Sequence, residues 1–480
     1  MASKDGLVKR VLGDIYGSVE PLEVVTELCD EYDARWPGSG MDLASCEYMA
    51  EKMKGHGLQN VHLEKFTIPS WIRDSSKLEV TEPKQKKIDC IALPMSSEGI
   101  VEGELIYLGA GPVHIYEELA DEIKGKIVMV NSGNPRGMKR FLHRSEKYQR
   151  SVLAGAAGWI FMNHYPAYGP PTGGISPIIP GIGVSYEDGM YLARMLERKG
   201  RVKLRLETKC TNVIVDTWNV VGDIPGTSGS DDWVIYGAHY EGHDIAVGAL
   251  DDATGAAIVM ELGRALVKEK EHLRHNMRFI CFGAEEIGLF GSRAYCDDNP
   301  DFMKNVRFML NFDAAGRAGR QGFCLHGWPG LEPLFGEVIK EIGTDLPMWQ
   351  SVGPYSDHWP FVLKGVPTAT MGDPDEAAKR AGRGFGHTKY DTVDKVDLRA
   401  MRECAGNAAV LALKIANTDE WPVKHRNQVE IDTLVASQGL EETVRLGVKL
   451  KKYLEERRNS LRPETVAYLG RISGSWDEVL

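Results

Sequence analysis

The hydrophobic pattern of this chain predicts alternating helices and strands in two separate parts. Residues 43–58 (LASCEYMAEKMKGHGL) have helical spacing with Gly57 near the end as a stop signal, and residues 61–68 alternate like a strand. The same alternation returns after residue 212. The strand-like runs there are 233–238, 278–283, 306–313 and 366–371, and the helical stretches are 255–268, 331–342 and 397–416. We therefore expect an α/β fold in which helices cover both faces of a mixed sheet.

The stretch 97–212 has a different character, because short apolar runs such as GELIYLGAG and GKIVMVNSG alternate with glycine- and proline-rich turns. Frequent turns between short strands predict a compact β-rich module inserted into the α/β domain. Within this module, residues 136–150 (RGMKRFLHRSEKYQR) form a basic stretch. A charge run of this length is typical of a solvated helix face, and we favour that interpretation over a binding site.

The C-terminal tail is polar and helical, with one apolar stripe formed by Leu440, Val444, Val448 and Leu454. The stripe predicts packing against the main domain or against a second subunit, so a homo-oligomer is left open. We divide the chain into a first part of the α/β domain (1–96), the insert (97–212), a second part with the candidate site (213–420) and a helical extension (421–480).

The amino-acid composition limits the classes of protein to which this chain can belong. Hydrophobic residues make up 43% and charged residues 26%, as in soluble globular proteins. The net charge of −11 argues against nucleic acid or an anionic membrane as the main partner. No apolar run approaches the roughly 20 residues of a membrane span, and charges interrupt the N-terminus where a signal peptide would be apolar. The eight cysteines form no Cys-x-x-Cys pair, so we expect most of them to be reduced and buried, which favours a cytoplasmic location.

Candidate chemistry is concentrated in four loops that follow predicted strands. These loops carry His239 and Asp251; Glu285 and Glu286; Asp313; and His387 with Asp391. In an α/β sheet such loops meet at one edge. Two histidines and several carboxylates are the ligands that a pair of divalent ions needs, with one carboxylate shared. Zinc is the expected metal, and cobalt or manganese could occupy the same site.

The adjacent pair Glu285 and Glu286 follows the apolar run FICFGA directly, where a solvated acidic turn would be out of place. Adjacent carboxylates can divide their roles, because one can bind a metal while its neighbour works as a general base.

Six motifs, taken in order, resemble one known family. GAHYEGHD, GALDDATGAA, CFGAEEIGLFGS, LNFDAAG, YSDHWPF and GHTKYDTVD are similar to the successive blocks of the co-catalytic dizinc aminopeptidases, the family that includes glutamate carboxypeptidases and the transferrin-receptor fold. The resemblance covers residues 30–96 and 213–416. In AGAAGWIF and IPGIGVS the insert is similar to the protease-associated domain of some of these enzymes.

The resemblance implies a fold of the zinc-exopeptidase type and a set of metal ligands. His239, Asp251 and Asp313 would bind one zinc ion. Asp251, as the bridge, would join Glu286 and His387 around a second zinc ion.

The resemblance also implies catalytic roles. Glu285 would be the general base that takes the proton from the bridging water and later delivers it to the leaving amine. Asp391 would support His387, as metal-bound imidazoles usually require. The peptide bond between Asp251 and Asp252 would be cis.

Three departures from the family pattern stand out. Glu241 replaces the usual aspartate two residues after the first histidine. His243 is an alternative to His239 as ligand, although the twelve-residue step from His239 to Asp251 suits the family better. Gly386 precedes His387 where many relatives have a carbonyl-polarising donor nearby, so that donor is unassigned, with Tyr355 as a candidate. In YSDHWPF, His358 is expected to lie in a packed loop that lines a pocket.

The predicted function is that of a dizinc metallo-exopeptidase that removes N-terminal residues from peptides. A carboxypeptidase or dipeptidase on the same scaffold is the alternative, in which Arg380 and Arg383 would grip a free carboxylate. A non-catalytic receptor or scaffold is disfavoured because all five ligand positions and the base are filled. Glutaminyl cyclisation on a single-zinc site is disfavoured for the same reason.

Overall fold

The computed structural model describes residues 4–313, 315–317, 321–372 and 385–469. The helices are α1 (Lys4–Gly17), α2 (Glu20–Tyr32), α3 (Met41–His56), α4 (Ile115–Glu118), α5 (Ala120–Ile123), α6 (Arg144–Leu153), α7 (Tyr186–Lys199), α8 (Thr254–Val267), α9 (Phe290–Asp298), α10 (Pro300–Met303), α11 (Glu332–Ile342), α12 (His358–Leu363), α13 (Leu398–Ala416), α14 (Gln428–Ser437), α15 (Glu441–Glu455) and α16 (Pro463–Leu469).

The strands are β1 (Gln59–Glu82), β2 (Lys86–Ile88), β3 (Cys90–Ala92), β4 (Gly99–Tyr107), β5 (Ile127–Asn131), β6 (Gly158–Met162), β7 (Gly181–Val184), β8 (Lys203–Ile224), β9 (Trp233–His239), β10 (Asn276–Phe282), β11 (Val306–Asn311), β12 (Gly322–Leu325), β13 (Met348–Gln350) and β14 (Thr368–Gly372). The predicted helices and strands of the α/β part are therefore present, with bounds shifted by a few residues, except that β1 extends far beyond its predicted end at Ile68 to Glu82. Among the described residues, no helix is long and apolar enough to cross a membrane.

The chain folds into two compact units. The first contains residues 1–68, 215–386 and 390–435, and the second contains 69–214, 387–389 and 436–480. The chain thus passes between units at 68/69 and 435/436, whereas the predicted segment boundaries lie at 96/97 and 420/421.

The first unit is built on a mixed sheet. Its strands lie in the order β13, β12, β14, β11, β9, β10, β8. The central strands β10, β9, β11 and β14 are parallel. The strand β8 runs antiparallel to β10, and β12 runs antiparallel to β14 and parallel to β13. On one side α8 packs against β9, β10 and α13, and on the other side α12 packs against β11, β14 and α9. The predicted α/β class, with helices on both faces of the sheet, is confirmed.

The alternating side chains of β9 explain why the first unit has a hydrophobic core on each face of its sheet. Val234 and Tyr236 belong to the core under α8, whereas Ile235 belongs to the core with Phe361 of α12. Successive side chains of a strand point to opposite faces, so a strand buried on both sides must be apolar at every position. Each such side chain contributes about 1.5–3 kcal/mol when fully buried.

The second unit has its own sheet and core. The strands β4, β5, β6 and β7 are parallel, and β3 pairs antiparallel with β7. The helix α7 contributes to the core on one face, around Ile160 and Leu204. On the other face, Trp159 and Tyr148 pack with Leu450 and Leu454 of the C-terminal tail. The inserted module is therefore completed by the end of the chain.

The prediction that the basic stretch 136–150 is a solvated helix face is wrong for the part that is helical, because residues 145–150 of α6 are buried. Within α6, Glu146 and Lys147 are 1% exposed and Arg150 is 8% exposed. The helix α15 packs directly on α6. Glu146 accepts hydrogen bonds from Arg140 and Arg150, and the Lys147 ammonium donates to the carbonyls of Asn131 and Gly133 at 2.9 and 2.7 Å. Partners for each charge make burial of this polar helix tolerable.

The predicted apolar stripe of the tail is correct at its ends and wrong in its middle. Leu440 and Leu454 are buried, but Val448 is 52% exposed. The buried face of α15 instead carries Leu446 and Leu450. These positions follow the three- and four-residue spacing of a helix, and the pattern alone does not say which face meets a partner.

All eight cysteines are free thiols, as predicted, and all are buried except Cys90, which is half-buried.

Candidate metal centre

The candidate residues of the first unit meet at one edge of its sheet. His239 is the last residue of β9 and lies opposite Phe282, the last residue of β10. Glu285 and Glu286 follow β10, and Asp313 follows β11. Because these three strands are parallel, their carboxyl ends lie on the same side, where α/β sheets bind their ligands.

The ligands predicted for one metal are close together. The Nε2 atom of His239 lies 3.6 Å from Asp251 Oδ1 and 3.9 Å from Asp313 Oδ1. The ligand atoms of His239, Glu285 and Asp313 all lie within 4.8 Å of one another. Zinc binds nitrogen and oxygen at about 2.0–2.2 Å, which places tetrahedral ligand atoms roughly 3.4 Å apart. The donor types and their spacing therefore fit a metal ion.

His239 is oriented from behind by Glu241. Its Nδ1 atom lies 3.0 Å from the main-chain carbonyl oxygen of Glu241, so Nε2 is the atom that faces the carboxylates. The Glu241 side chain is fully buried, and its Oε1 atom accepts a hydrogen bond of 3.1 Å from the Glu286 N–H. This glutamate, which replaces the usual aspartate, therefore connects the histidine loop to the acidic loop. Burial raises its pKa to about 7.

His243 lies beside Glu286 within the first unit. Its Nε2 atom is 2.9 Å from Glu286 Oε2, and its ring stacks on Trp36 with centroids 5.9 Å apart. This contact keeps His243 open as an alternative ligand. His387 lies in the segment 387–389, which is grouped with the second unit, and its carbonyl accepts a hydrogen bond of 2.7 Å from the Thr172 N–H.

Asp251 lies in the turn Ala249–Ala253, and the peptide bond from Asp251 to Asp252 is cis, as predicted. Asp391 holds the main chain of this turn. Its Oδ1 accepts from the Leu250 N–H at 2.7 Å, and its Oδ2 accepts from the Asp251 N–H at 3.1 Å. Asp391 was expected to support His387, and that role stays a prediction.

Arg317 is a residue that sequence reasoning missed. It lies four residues after Asp313 and is 6% exposed. Its Nη2 atom lies 3.2 Å from Asp251 Oδ1. The available signal was an arginine directly after the LNFDAAG motif, but nothing in the pattern shows that this side chain turns inward.

Burial, with added repulsion between carboxylates, shifts the pKa values of two acidic groups in the centre. Burial raises the pKa of Glu285 well above its usual range, and the charges of Glu286, Asp313 and Asp357 raise it further, against the opposing effect of His239. Burial also raises the pKa of Asp357 to about 7. Crowded buried carboxylates are costly unless cations compensate them, so this region favours a bound cation.

The YSDHWPF segment, whose second half forms the start of α12, packs against the same edge. Ser356 Oγ accepts a hydrogen bond of 2.7 Å from Asn311 Nδ2. His358 Nε2 lies 2.8 Å from the Gly353 carbonyl oxygen. The ring of His358 stacks on the ring of His326, with centroids 3.9 Å apart. His358 is buried, as expected, but it is the first residue of α12 and does not lie in a loop. Among the described residues, it is not one of those grouped as possible metal ligands. Arg380 and Arg383 lie outside the described residues.

Curated relatives cover most of the chain. Carboxypeptidase Q of Mus musculus is 25% identical over 452 residues, which cover 88% of this chain and 91% of the relative. Aminopeptidase YwaD of Bacillus subtilis (strain 168) is 24% identical over 427 residues, which cover 85% of this chain and 86% of the relative.

Solved structures share the fold. A peptidase M28 precursor from Shewanella amazonensis SB2B matches with a TM-score of 0.74 at 20% identity and covers 88% of this chain and 98% of its own. A zinc aminopeptidase from Bacillus subtilis matches with a TM-score of 0.64 at 23% identity and covers 84% of this chain and 97% of its own.

Two protein-family models match separate segments of the chain. Residues 101–192 match the PA domain, and residues 219–412 match peptidase family M28. The second range contains all six residues proposed from the sequence as ligands or base. The chain therefore carries a segment of peptidase family M28 at residues 219–412 and a PA domain at residues 101–192.

Proposed function

We propose that this metallopeptidase is a dizinc exopeptidase that removes N-terminal residues from peptides. The observation that carries the proposal is the convergence of His239, Asp251 and Asp313 at one sheet edge, with Glu285 beside them. Nitrogen and carboxylate donors of this kind suit zinc, with cobalt or manganese as alternatives.

The proposed ligands are assigned by the family motifs. His239, Asp251 and Asp313 would hold one ion, and Asp251 would be shared with a second ion held by Glu286 and His387. The proximity of His243 to Glu286 makes His243 the alternative to be tested beside His387.

Glu285 is the proposed proton carrier. When bound, the two ions polarise the scissile carbonyl and stabilise the negative charge that develops on its oxygen. Glu285 accepts a proton from the attacking water and donates it to the nitrogen of the leaving amine. Glu285 is half-buried, and its carboxylate is a stronger proton acceptor than that of an exposed glutamate, because desolvation and neighbouring negative charges disfavour its ionised form. Glu241 keeps His239 oriented during the reaction.

Mass spectrometry of a peptide with both ends free provides the first test. We expect stepwise loss of N-terminal residues, and a chelator should abolish it. Glu285→Gln should lower kcat by about 10²- to 10⁴-fold without changing the metal content. Cleavage that a chelator does not affect, or full activity of Glu285→Gln, would contradict the proposed chemistry.

A carboxypeptidase is the second candidate, and the relatives named carboxypeptidase Q favour it, because that of Mus musculus matches 88% of this chain. Two blocked peptides separate the candidates. An aminopeptidase cleaves a peptide with an amidated C-terminus and not one with an acetylated N-terminus, whereas a carboxypeptidase does the reverse. Absence of cleavage with metal bound would favour a narrow dipeptidase or a scaffold.

The proposed location is the cytoplasm, and the eight free cysteines support it. Cell fractionation tests this part of the proposal separately from the activity.

A further inference from the structure

The turn that carries Asp251 is held by charged side chains from two different parts of the first unit. Asp391 accepts the N–H groups of Leu250 and Asp251, as described above. Arg317 contacts the same dipeptide at two oxygens, the carbonyl oxygen of Leu250 and the carboxylate oxygen Oδ1 of Asp251. The main chain and the side chain of this dipeptide are therefore restrained together.

The guanidinium of Arg317 makes three contacts. Its Nε and Nη2 atoms both donate to the Leu250 carbonyl oxygen at 3.2 Å. The same Nη2 atom lies 3.2 Å from Asp251 Oδ1. One planar group thus joins a main-chain oxygen to the carboxylate of the next residue, and a fixed planar geometry is what distinguishes arginine from lysine.

These contacts direct the Asp251 carboxylate. Rotation of this side chain about its Cα–Cβ bond would move Oδ1 away from Nη2, while the Leu250 carbonyl keeps the guanidinium in place. Asp251 Oδ1 is also the oxygen nearest to His239 Nε2, at 3.6 Å. The atom that Arg317 holds is therefore the one that faces the other proposed ligands.

We propose that Arg317 is a positioning residue, which fixes the direction of the Asp251 carboxylate as a metal ligand. This inference rests on the proposed function, in which Asp251 is the ligand shared by both ions. Hydrogen bonds to a metal-binding carboxylate typically influence affinity or activity about 10- to 100-fold.

An alternative role for a buried arginine in an exopeptidase is to bind the free carboxylate of a substrate. The contacts disfavour this role for Arg317, because the described hydrogen bonds of its Nε and Nη2 atoms go to the Leu250 carbonyl and the Asp251 carboxylate. Its side chain is also only 7% exposed.

Arg317→Lys is the central variant, because it keeps the positive charge and loses the planar fork. Arg317→Met removes the charge as well. Arg264→Lys is the matched control, since Arg264 is also a buried arginine of the first unit that makes a two-point contact with a carboxylate, at 2.7 and 2.6 Å from Glu261. If Arg317→Lys does not fold, Arg317→Gln retains a donor amide and is measured in its place.

Three measurements are made on the full-length protein. Calorimetric titration with zinc gives the number of bound ions and their affinities. The visible spectrum of the cobalt-loaded protein reports ligand geometry independently of turnover. Steady-state kinetics separate kcat from KM, and thermal melting controls for stability.

We expect Arg317→Lys and Arg317→Met to lower zinc affinity and kcat by about 10- to 100-fold and to change the cobalt spectrum, with KM unchanged. Arg264→Lys should change only the melting temperature. A wild-type spectrum, affinity and kcat in Arg317→Lys would overturn the inference, and so would a rise in KM confined to substrates with a free C-terminal carboxylate. If the wild-type protein binds neither zinc nor cobalt, the proposed function itself fails.

Discussion

Replacement of Glu146 by glutamine tests the charge network that buries α6 in the second unit. The Glu146 side chain is fully buried. It accepts from Arg140 at 2.7 and 2.8 Å through a two-point contact, and from Arg150 Nη2 at 2.8 Å. Glutamine keeps the size of the side chain and removes its charge, so both arginines lose their principal partner.

The expected loss follows from burial. Removal of one member of a buried ion pair typically costs about 3–5 kcal/mol. Glu442 of α15 also contacts Arg140 and Arg150, at 3.2 and 3.0 Å, and offsets part of that cost. Its side chain is 44% exposed, so its compensation is weakened by solvent. We therefore expect Glu146→Gln to lower the free energy of unfolding of the second unit by about 3 kcal/mol.

Hydrogen exchange combined with urea unfolding at pH 7 provides the assay, because exchange reports α6 and α15 locally. Glu403→Gln on α13 is the control, since Glu403 and its partner Arg399 are 42% and 84% exposed. Such a surface pair contributes about 0–1 kcal/mol. Equal effects of the two substitutions, or unchanged protection of α6 and α15, would refute this account of the network.

The loss of stability caused by Glu146→Gln should depend on pH in one direction. Burial alone would raise the pKa of Glu146, but hydrogen bonds and charge from Arg140 and Arg150 outweigh burial and hold the pKa below the usual 4.5. The stabilisation is therefore present above pH 4.5 and is lost as the pH falls through the folded-state pKa. The difference in stability between wild type and Glu146→Gln should shrink over that range.

Three further predictions address other parts of the chain. Leu450→Ala should cost about 2–5 kcal/mol in unfolding experiments, whereas Val448→Ala on the same helix should stay within about 0.5 kcal/mol, and equal costs would contradict the buried face described here. Gly291→Ala would place a Cβ atom 2.3 Å from the Gly283 carbonyl oxygen, so the loop that carries the acidic pair must shift and kcat should fall; an unchanged kcat would contradict this. Burial lowers the pKa of His326 well below 6.5. As the pH falls below 6.5, this histidine is therefore protonated in the unfolded chain before it is protonated in the folded chain. Between pH 7 and pH 5 wild type should therefore lose stability that His326→Gln retains, measured as the difference between their urea unfolding curves, and equal losses in the two proteins would contradict this.

Much of the catalytic unit could be predicted from the sequence, because its signals are local. A strand buried on both faces must be apolar throughout, so β9, β10 and β11 are recognisable without a structure. His239, Glu285 and Asp313 stand at or just after the ends of these runs, and parallel strands bring such positions to one edge. The cis bond after Asp251 followed from the family resemblance and is present.

Only the tertiary structure decided which polar groups are buried, because burial depends on what packs against a surface. The basic stretch that includes most of α6 has the composition of a solvated helix, yet the tail packs on α6 and Glu146 pairs with Arg140 and Arg150. The buried face of α15 is set by that same contact. Arg317 and Glu241 likewise acquire their roles through partners distant in sequence, at 3.2 Å from Asp251 and 3.1 Å from the Glu286 N–H. Local periodicity carries no information on such partners, since their free energy of interaction arises only when the chain is folded.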